Sequence, residues 1–165
     1  MNIDAFLDSK LSGECRILRD LYEFISDNNN DRDFYIEGLN LLDIIEPYGG
    51  TILYGPRMTP INTLTFARTG GDDVHFGMLA TNGLYGDSSP IVMTVPIADE
   101  NPEEANFIVG ENLHAFLCVG CTHGYGSLEE LAYGKQHELF DFLAGPGDDN
   151  PSYAKLRSAL SLTPW

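Results

Sequence analysis

The sequence predicts an α+β fold, an antiparallel β-sheet (meander) flanked by helices. Three observations carry that prediction. An amphipathic helical stripe occupies residues 13–28, period-two alternation between turn-forming glycines and prolines occupies 62–96, and helical spacing returns after Glu111. Hydrophobic residues make up 43% and charged residues 21% of 165, which are globular values and argue against wholesale disorder. That length buries one core, so residues 1–165 are read as a single domain.

Each element follows from its own residues. Between Gly13 and Asn28, Cys15, Leu18, Leu21, Tyr22 and Ile25 recur at three- and four-residue spacing, the stripe of a helix packed on one side. The Asp27–Asp31 run of Asp and Asn ends it, because these side chains compete for backbone groups in turns. Phe34 to Glu46 is ambiguous: Ile36, Leu39, Leu42 and Ile45 suit a helix stopped by Pro47 and Gly49-Gly50, or irregular buried chain. Ile52-Leu53-Tyr54 is a short strand candidate. Asn62 to Arg68 alternates Leu64 and Phe66 with Thr63, Thr65 and Ala67. After a Thr69-Gly70-Gly71-Asp72 turn, Asp73 to Ala80 alternates Val74, Phe76 and Met78 with His75, Gly77 and Leu79. Asn82-Gly83 turns the chain again, and Pro90 to Pro96 is a strand bounded by prolines. These three strands read as a meander. A polar, acidic loop covers 98–105, and Phe107-Ile108-Val109 leads into Gly110. Leu113, Phe116, Leu117 and Gly120 then share one helical face, with Glu111 in the first turn where the helix dipole favours it. Ser127 and Glu130 have capping-box spacing and start a helix running toward Phe142. Gly145 to Asp149 breaks it, and Asn150 with Pro151 at the first position starts a last helix carrying Tyr153, Leu156 and Leu160.

Charge narrows the function classes. Asp and Glu total 25 against 9 Lys and Arg, a formal net charge of −16. Phosphate repels such a surface, so neither nucleic acid nor an anionic membrane is expected as a direct partner. No run of 18 apolar residues suggests a membrane span, and Met1 to Lys10 has acids where a secretory leader would be apolar. Three cysteines cannot all pair internally, so reduced thiols in the cytoplasm are expected. The excess charge is also localised. From Thr69 to Gly134 ten acids occur without one Lys or Arg: Asp72, Asp73, Asp87, Asp99, Glu100, Glu103, Glu104, Glu111, Glu129 and Glu130. Local ion pairs cannot satisfy them, so they face water or await a basic partner or a metal. Solvated charge that keeps the chain dispersed explains each one singly. A negative docking surface for a cationic protein explains them as a set.

Two clusters invite a chemical reading. His114, Cys118, Cys121 and His123 offer four zinc-type ligands within ten residues, and 114, 118 and 121 share a helical flank. The spacing matches no standard zinc module, and cysteines bordering an apolar stripe are ordinarily core residues. A redox role fits poorly, because the Cys-x-x-Cys pair falls near a helix end rather than at its N-terminus. Gly70 to His75 combines carboxylates with an imidazole, but a hairpin turn accounts for the same residues. The chain contains neither a Gly-x-Ser-x-Gly elbow nor a glycine loop with a phosphate-binding Lys, so no catalytic residues are assigned and no cofactor or metal is expected.

Thr65-Phe66-Ala67-Arg68-Thr69-Gly70-Gly71-Asp72-Asp73-Val74-His75-Phe76 resembles the central hairpin of the SMI1/KNR4 (SUKH) superfamily. Pro90-Ile91-Val92 is similar to that family's following strand, and Asn106 to Leu117 to its short strand entering a Leu-x-x-Phe-Leu helix. The similarity covers residues 62–120. It implies a SUKH-like core over about 13–122, with extra C-terminal helices over 127–162. It also implies a bacterial immunity protein: a non-catalytic binding domain that neutralises a toxin, here a basic, nuclease-type one. Asp72, Asp73, Asp99, Glu100, Glu103 and Glu104 are then the toxin-contact candidates. The alternatives are a small metal-binding domain or metal-dependent enzyme using the His114/Cys118/Cys121/His123 cluster, and a regulatory scaffold module.

Overall fold

The computed structural model describes residues 1–46, 58–70, 73–96 and 104–165. Among these residues five strands form one sheet: β1 (Asn40–Glu46), β2 (Thr63–Arg68), β3 (His75–Leu79), β4 (Ile91–Thr94) and β5 (Asn106–Gly110). Their spatial order equals their chain order, and every neighbouring pair is antiparallel. The meander expected from three strands therefore extends by one strand on each side. Around it lie α1 (Ile3–Leu7), α2 (Arg16–Asn28), α3 (Leu113–Gly120), a 3-10 helix (Gly126–Tyr133), α4 (Gln136–Leu143) and α5 (Pro151–Leu160). The expected α+β class is the observed one.

The register places large side chains in rows. Leu64 stands opposite Met78 and Met78 opposite Ile91, while Phe76 stands opposite Met93. A bulge in β2 between Thr65 and Ala67 shifts the pairing, so that Ala67 rather than Phe66 faces Phe76 across the ladder. Phe66 and Phe76 meet Phe116 of α3 at ring-centroid separations of 6.2 and 4.9 Å, and Tyr125 closes the cluster 4.8 Å from Phe116. The Tyr125 hydroxyl donates to the Leu117 carbonyl at 2.8 Å, which satisfies the polar end of a fully buried ring. Gly120 is required beside it: a Cβ there would collide with the Tyr125 ring.

The polar half of the strand alternation is buried too. Thr63, Thr65, His75 and Thr94 are all less than a tenth exposed. On this face Thr59 Oγ1 lies 2.8 Å from His75 Nε2, Thr94 donates to Asn106 Oδ1 at 2.7 Å, and Asn106 Nδ2 donates to the Met58 carbonyl at 2.8 Å. Residues 58 and 59 are thereby laced to both β3 and β5.

Three expectations need correction. Phe34 to Glu46 contains strand β1 rather than a helix. Gly38, at φ +67°, breaks any helix there, and a Cβ on it would meet the Gly126 nitrogen. Beyond it Asn40 pairs with Arg68, and the Tyr22 hydroxyl reaches the Leu42 and Phe66 carbonyls at 3.0 and 3.1 Å, so tertiary pairing overrides the apolar spacing. The single helix expected from Ser127 to Phe142 is two elements. Gly134 takes a left-handed φ of 70° and separates the 3-10 helix from α4. Ser127 does not cap: its hydroxyl is buried with no hydrogen-bond partner among the described residues, and the Glu130 carboxylate pairs forward with Lys135 at 2.7 Å. The helix read from Gly13 starts at Arg16. Helix α1 has no counterpart among the expected elements; in it the Asn2 side chain accepts from the Ala5 amide and Phe6 is wholly buried. The strand candidate Ile52-Leu53-Tyr54, the stop at Pro47 to Gly50 and the centre of the 98–105 loop lie outside the described residues.

Candidate functional site

Of the six acids put forward as contact residues, Asp73 and Glu104 are described, while Asp72, Asp99, Glu100 and Glu103 lie outside the described residues. The sheet register sets the described pair. Arg68 at the end of β2 pairs with His75 at the start of β3, His75 pairs with Thr94 at the end of β4, and Thr94 pairs with Asn106 at the start of β5. The β2–β3 and β4–β5 connections therefore leave from the same end of the sheet, and these connections carry all six acids. Asp73 adopts φ 56° just before β3, and Glu104 is exposed just before β5.

His75 anchors this end. Its Nδ1 is 2.8 Å from the Asp73 carbonyl, which can only accept, so Nδ1 carries the proton and Nε2 accepts from the Thr59 hydroxyl. Burial holds this imidazole below the usual histidine range. Both ring nitrogens are committed to structure, so His75 works as a latch that ties Thr59 and Asp73 to the start of β3, while Gly71 and Asp72 of the carboxylate–imidazole cluster lie outside the described residues.

Asp87 departs from the expectation that acids of the base-free segment face water or await a partner. Its carboxylate accepts from the amides of Ile17 at 2.7 Å and Leu18 at 3.1 Å, so it caps α2 from seventy residues away. Its own amide donates to the Glu14 carbonyl and its carbonyl accepts from Leu113, the first residue of α3. One acid thus joins the starts of two helices. Partial burial raises its pKa, against the lowering effect of the amides it accepts from. Cys15, the residue before α2, has no side-chain cap of its own. The sequence signal for this role is the absence of a Ser, Thr, Asp or Asn at that N-cap, which leaves the first turn open to a distant acceptor.

The histidine–cysteine cluster does not converge. Cys118 Sγ is 3.7 Å from His114 Nδ1, on neighbouring turns of α3. Cys121 is buried and its thiol donates to the Cys118 carbonyl at 3.1 Å. His123 is buried and packs on Phe142 with ring centroids 4.8 Å apart. Among the described residues no group of three or more His, Cys, Asp or Glu side chains is placed to hold a metal ion. All three cysteines are free thiols, and burial is the main influence that raises the pKa of Cys15 and Cys121, away from reactive thiolate.

Among the described residues three ion pairs form: Arg16–Asp20, Glu130–Lys135 and Asp31–Lys155. No helix among them is long and apolar enough to cross a membrane. Compared with protein-family models, curated proteins and solved structures, the chain matches none.

Proposed function

We propose that this chain is a non-catalytic protein-binding domain of the SMI1/KNR4 (SUKH) type, an immunity protein that works in the bacterial cytoplasm. It neutralises a basic, nuclease-type toxin by covering the surface on which that toxin holds the nucleic-acid backbone. The observation that carries this reading is the run from Thr69 to Gly134, ten acids and no base. The register that sends the two most acidic connections from one end of the sheet supports it. A toxin that binds phosphate presents lysines and arginines, and carboxylates meeting them accelerate encounter and fix register. Such an inhibitor needs affinity and steric coverage, and no reacting group.

The test is capture of a basic nuclease domain encoded beside this chain. Purified protein should hold that domain in a complex that weakens steeply as salt rises, and cells lacking the chain should be sensitive to the toxin. Glu103→Lys with Glu104→Lys should weaken capture and flatten its salt dependence. A chain that binds no adjacent toxin, and whose loss leaves cells unharmed by it, ends the immunity reading.

A further inference from the structure

Helix α2 breaks two electrostatic rules at its C-terminal end. Glu23 and Asp27 stand four residues apart, so two like charges share one flank of the helix and repel. Asp27 also lies in the last turn, where the helix dipole favours a cation, and that turn holds no basic residue. Asp43 of β1 brings a third charge close by: after burial, it is what raises the Tyr22 pKa. All three acids are exposed, and none of them takes part in an ion pair among the described residues. Arg19 and Arg32, the bases nearest to them in the sequence, form no such pair either. These placements work against the fold, and a cation from outside would relieve them together.

The three acids rim a groove of about 620 Å³, walled by α1, α2 and β1. Its floor is apolar: Ile3, Tyr22, Ile25 and Leu41 pack against the core and are only partly covered. The Tyr22 hydroxyl is committed to the Leu42 and Phe66 carbonyls, so the ring offers the groove its apolar body. The volume lies within the roughly 300–1,000 Å³ range of binding pockets, with room for a large apolar side chain and the stems of its neighbours. Leu41 pairs with Ala67, one residue short of the end of β2, so the groove reaches toward the sheet end from which the acidic connections leave. An apolar floor inside an acidic rim selects a segment of matching pattern, apolar at its centre and basic at its flanks. Lysine and arginine suit the flanks, because their stems cover apolar surface while their heads reach carboxylates.

We propose that this groove docks an amphipathic segment of a basic protein, one large apolar side chain resting on Ile3, Ile25 and Leu41 while flanking lysines or arginines meet Glu23, Asp27 and Asp43. This rests on the reading of a basic protein partner and deepens it by locating an anchor for that partner. A second copy of this chain is a poor occupant, because each copy carries a net charge of −16.

The probes are two synthetic peptides of equal charge, lysines alternating with leucine in one and with serine in the other, titrated into the isotope-labelled full chain at physiological salt. Amide shifts should concentrate at residues 22–29 and 41–43, and the leucine peptide should bind about tenfold tighter than the serine peptide. A peptide of alternating glutamate and leucine should not bind. Glu23→Gln combined with Asp27→Asn should weaken the leucine peptide by about five- to tenfold. The same double variant should raise the thermal midpoint by about 1–2 °C, because it relieves the helix. Binding and stability moving in opposite directions separate a docking rim from a structural one. Equal binding of the two lysine peptides, binding of the glutamate peptide, shifts spread evenly over the acidic surface, the absence of binding, or self-association through the groove would each overturn the proposal. So would a double variant that binds like the unaltered chain or loses stability. The broader reading fails separately. A basic toxin captured equally well by the double variant sinks the groove alone, whereas a toxin left uncaptured by a chain whose peptide shifts still map to the groove sinks the immunity reading alone.

Discussion

Phe66, Phe76 and Phe116 are wholly buried, whereas Tyr133, Phe140, Phe142 and Trp165 stay about half exposed or more. The same residue class thus serves two ends of the molecule differently. In the sheet and α3, rings pack at 4.9 to 6.2 Å between centroids and hold one arrangement of the core. In the 3-10 helix, α4 and the chain end, rings lie on the surface among carboxylates, where each can meet something else. The contrast teaches that the core is built from local meander pairing, and that the C-terminal layer is covered loosely. If so, damage in the first region costs stability and damage in the second costs little.

The largest effect is expected at Phe116. Its ring touches Phe66, Phe76 and Tyr125, and truncation leaves a cavity that the strands cannot close. Phe116→Ala should lower unfolding free energy by about 3–5 kcal/mol in a urea titration. A loss under about 1 kcal/mol would mean that the aromatic cluster is not the centre of the core.

Asp87 comes next. Asp87→Ala removes the acceptor for two amides of α2 and should cost about 1–2 kcal/mol, like loss of an ordinary N-cap. Asp87→Asn keeps one amide oxygen as acceptor and should cost less. Equal losses would assign the effect to charge rather than to hydrogen bonding.

His75 sets a pH dependence of known sign. Burial depresses its folded pKa below the ordinary 6.5, so the unfolded chain takes up the proton first. Stability should therefore be complete above about pH 6.5 and decline as pH falls below it toward the folded pKa. Asp87 has the opposite sign. Its raised pKa gives stability that is present below the carboxylate range and lost as pH rises, so it cannot produce this decline. Denaturation midpoints followed from neutral pH toward pH 5 should show a slope that His75→Gln reduces, and an unchanged slope would place the acid sensitivity elsewhere.

How much of this was legible depends on where the information lies. Strands β2, β3 and β4 announce themselves, because alternation and the Asn82-Gly83 turn, at φ 53° and 79°, are local signals. Asn150 and Pro151 likewise start α5 as their types predict, the Asn150 side chain accepting from the Ser152 amide. β1 was not legible, since its apolar spacing fits a helix and only pairing with β2 decides the matter. The Ser127–Glu130 spacing is that of a capping box, yet Lys135 takes the carboxylate and Gly134 ends the turn. The role of Asp87 was invisible for a different reason: a cap supplied from seventy residues away leaves no short-range pattern. Of the contact acids, the sequence supplied the count and the connections, and the register alone supplied the fact that both connections leave from one end.

The smallest effect is expected at Phe140, and it probes the contrast from the surface side. Phe140 packs against Trp165 with ring centroids 5.8 Å apart, and both rings stay substantially in water. An exposed pair of this kind contributes little to folding, so Phe140→Ala should change stability by no more than about 0.5 kcal/mol. Trp165 is the chain's single tryptophan, which makes its emission a report on this one contact. The variant should alter that emission while leaving the unfolding midpoint almost in place. A loss above about 1.5 kcal/mol would show that the C-terminal rings belong to the folded core in energy if not in burial. The division between a packing set and a surface set of aromatics would then collapse, because rings that hold the fold together are not free to be reserved for a partner.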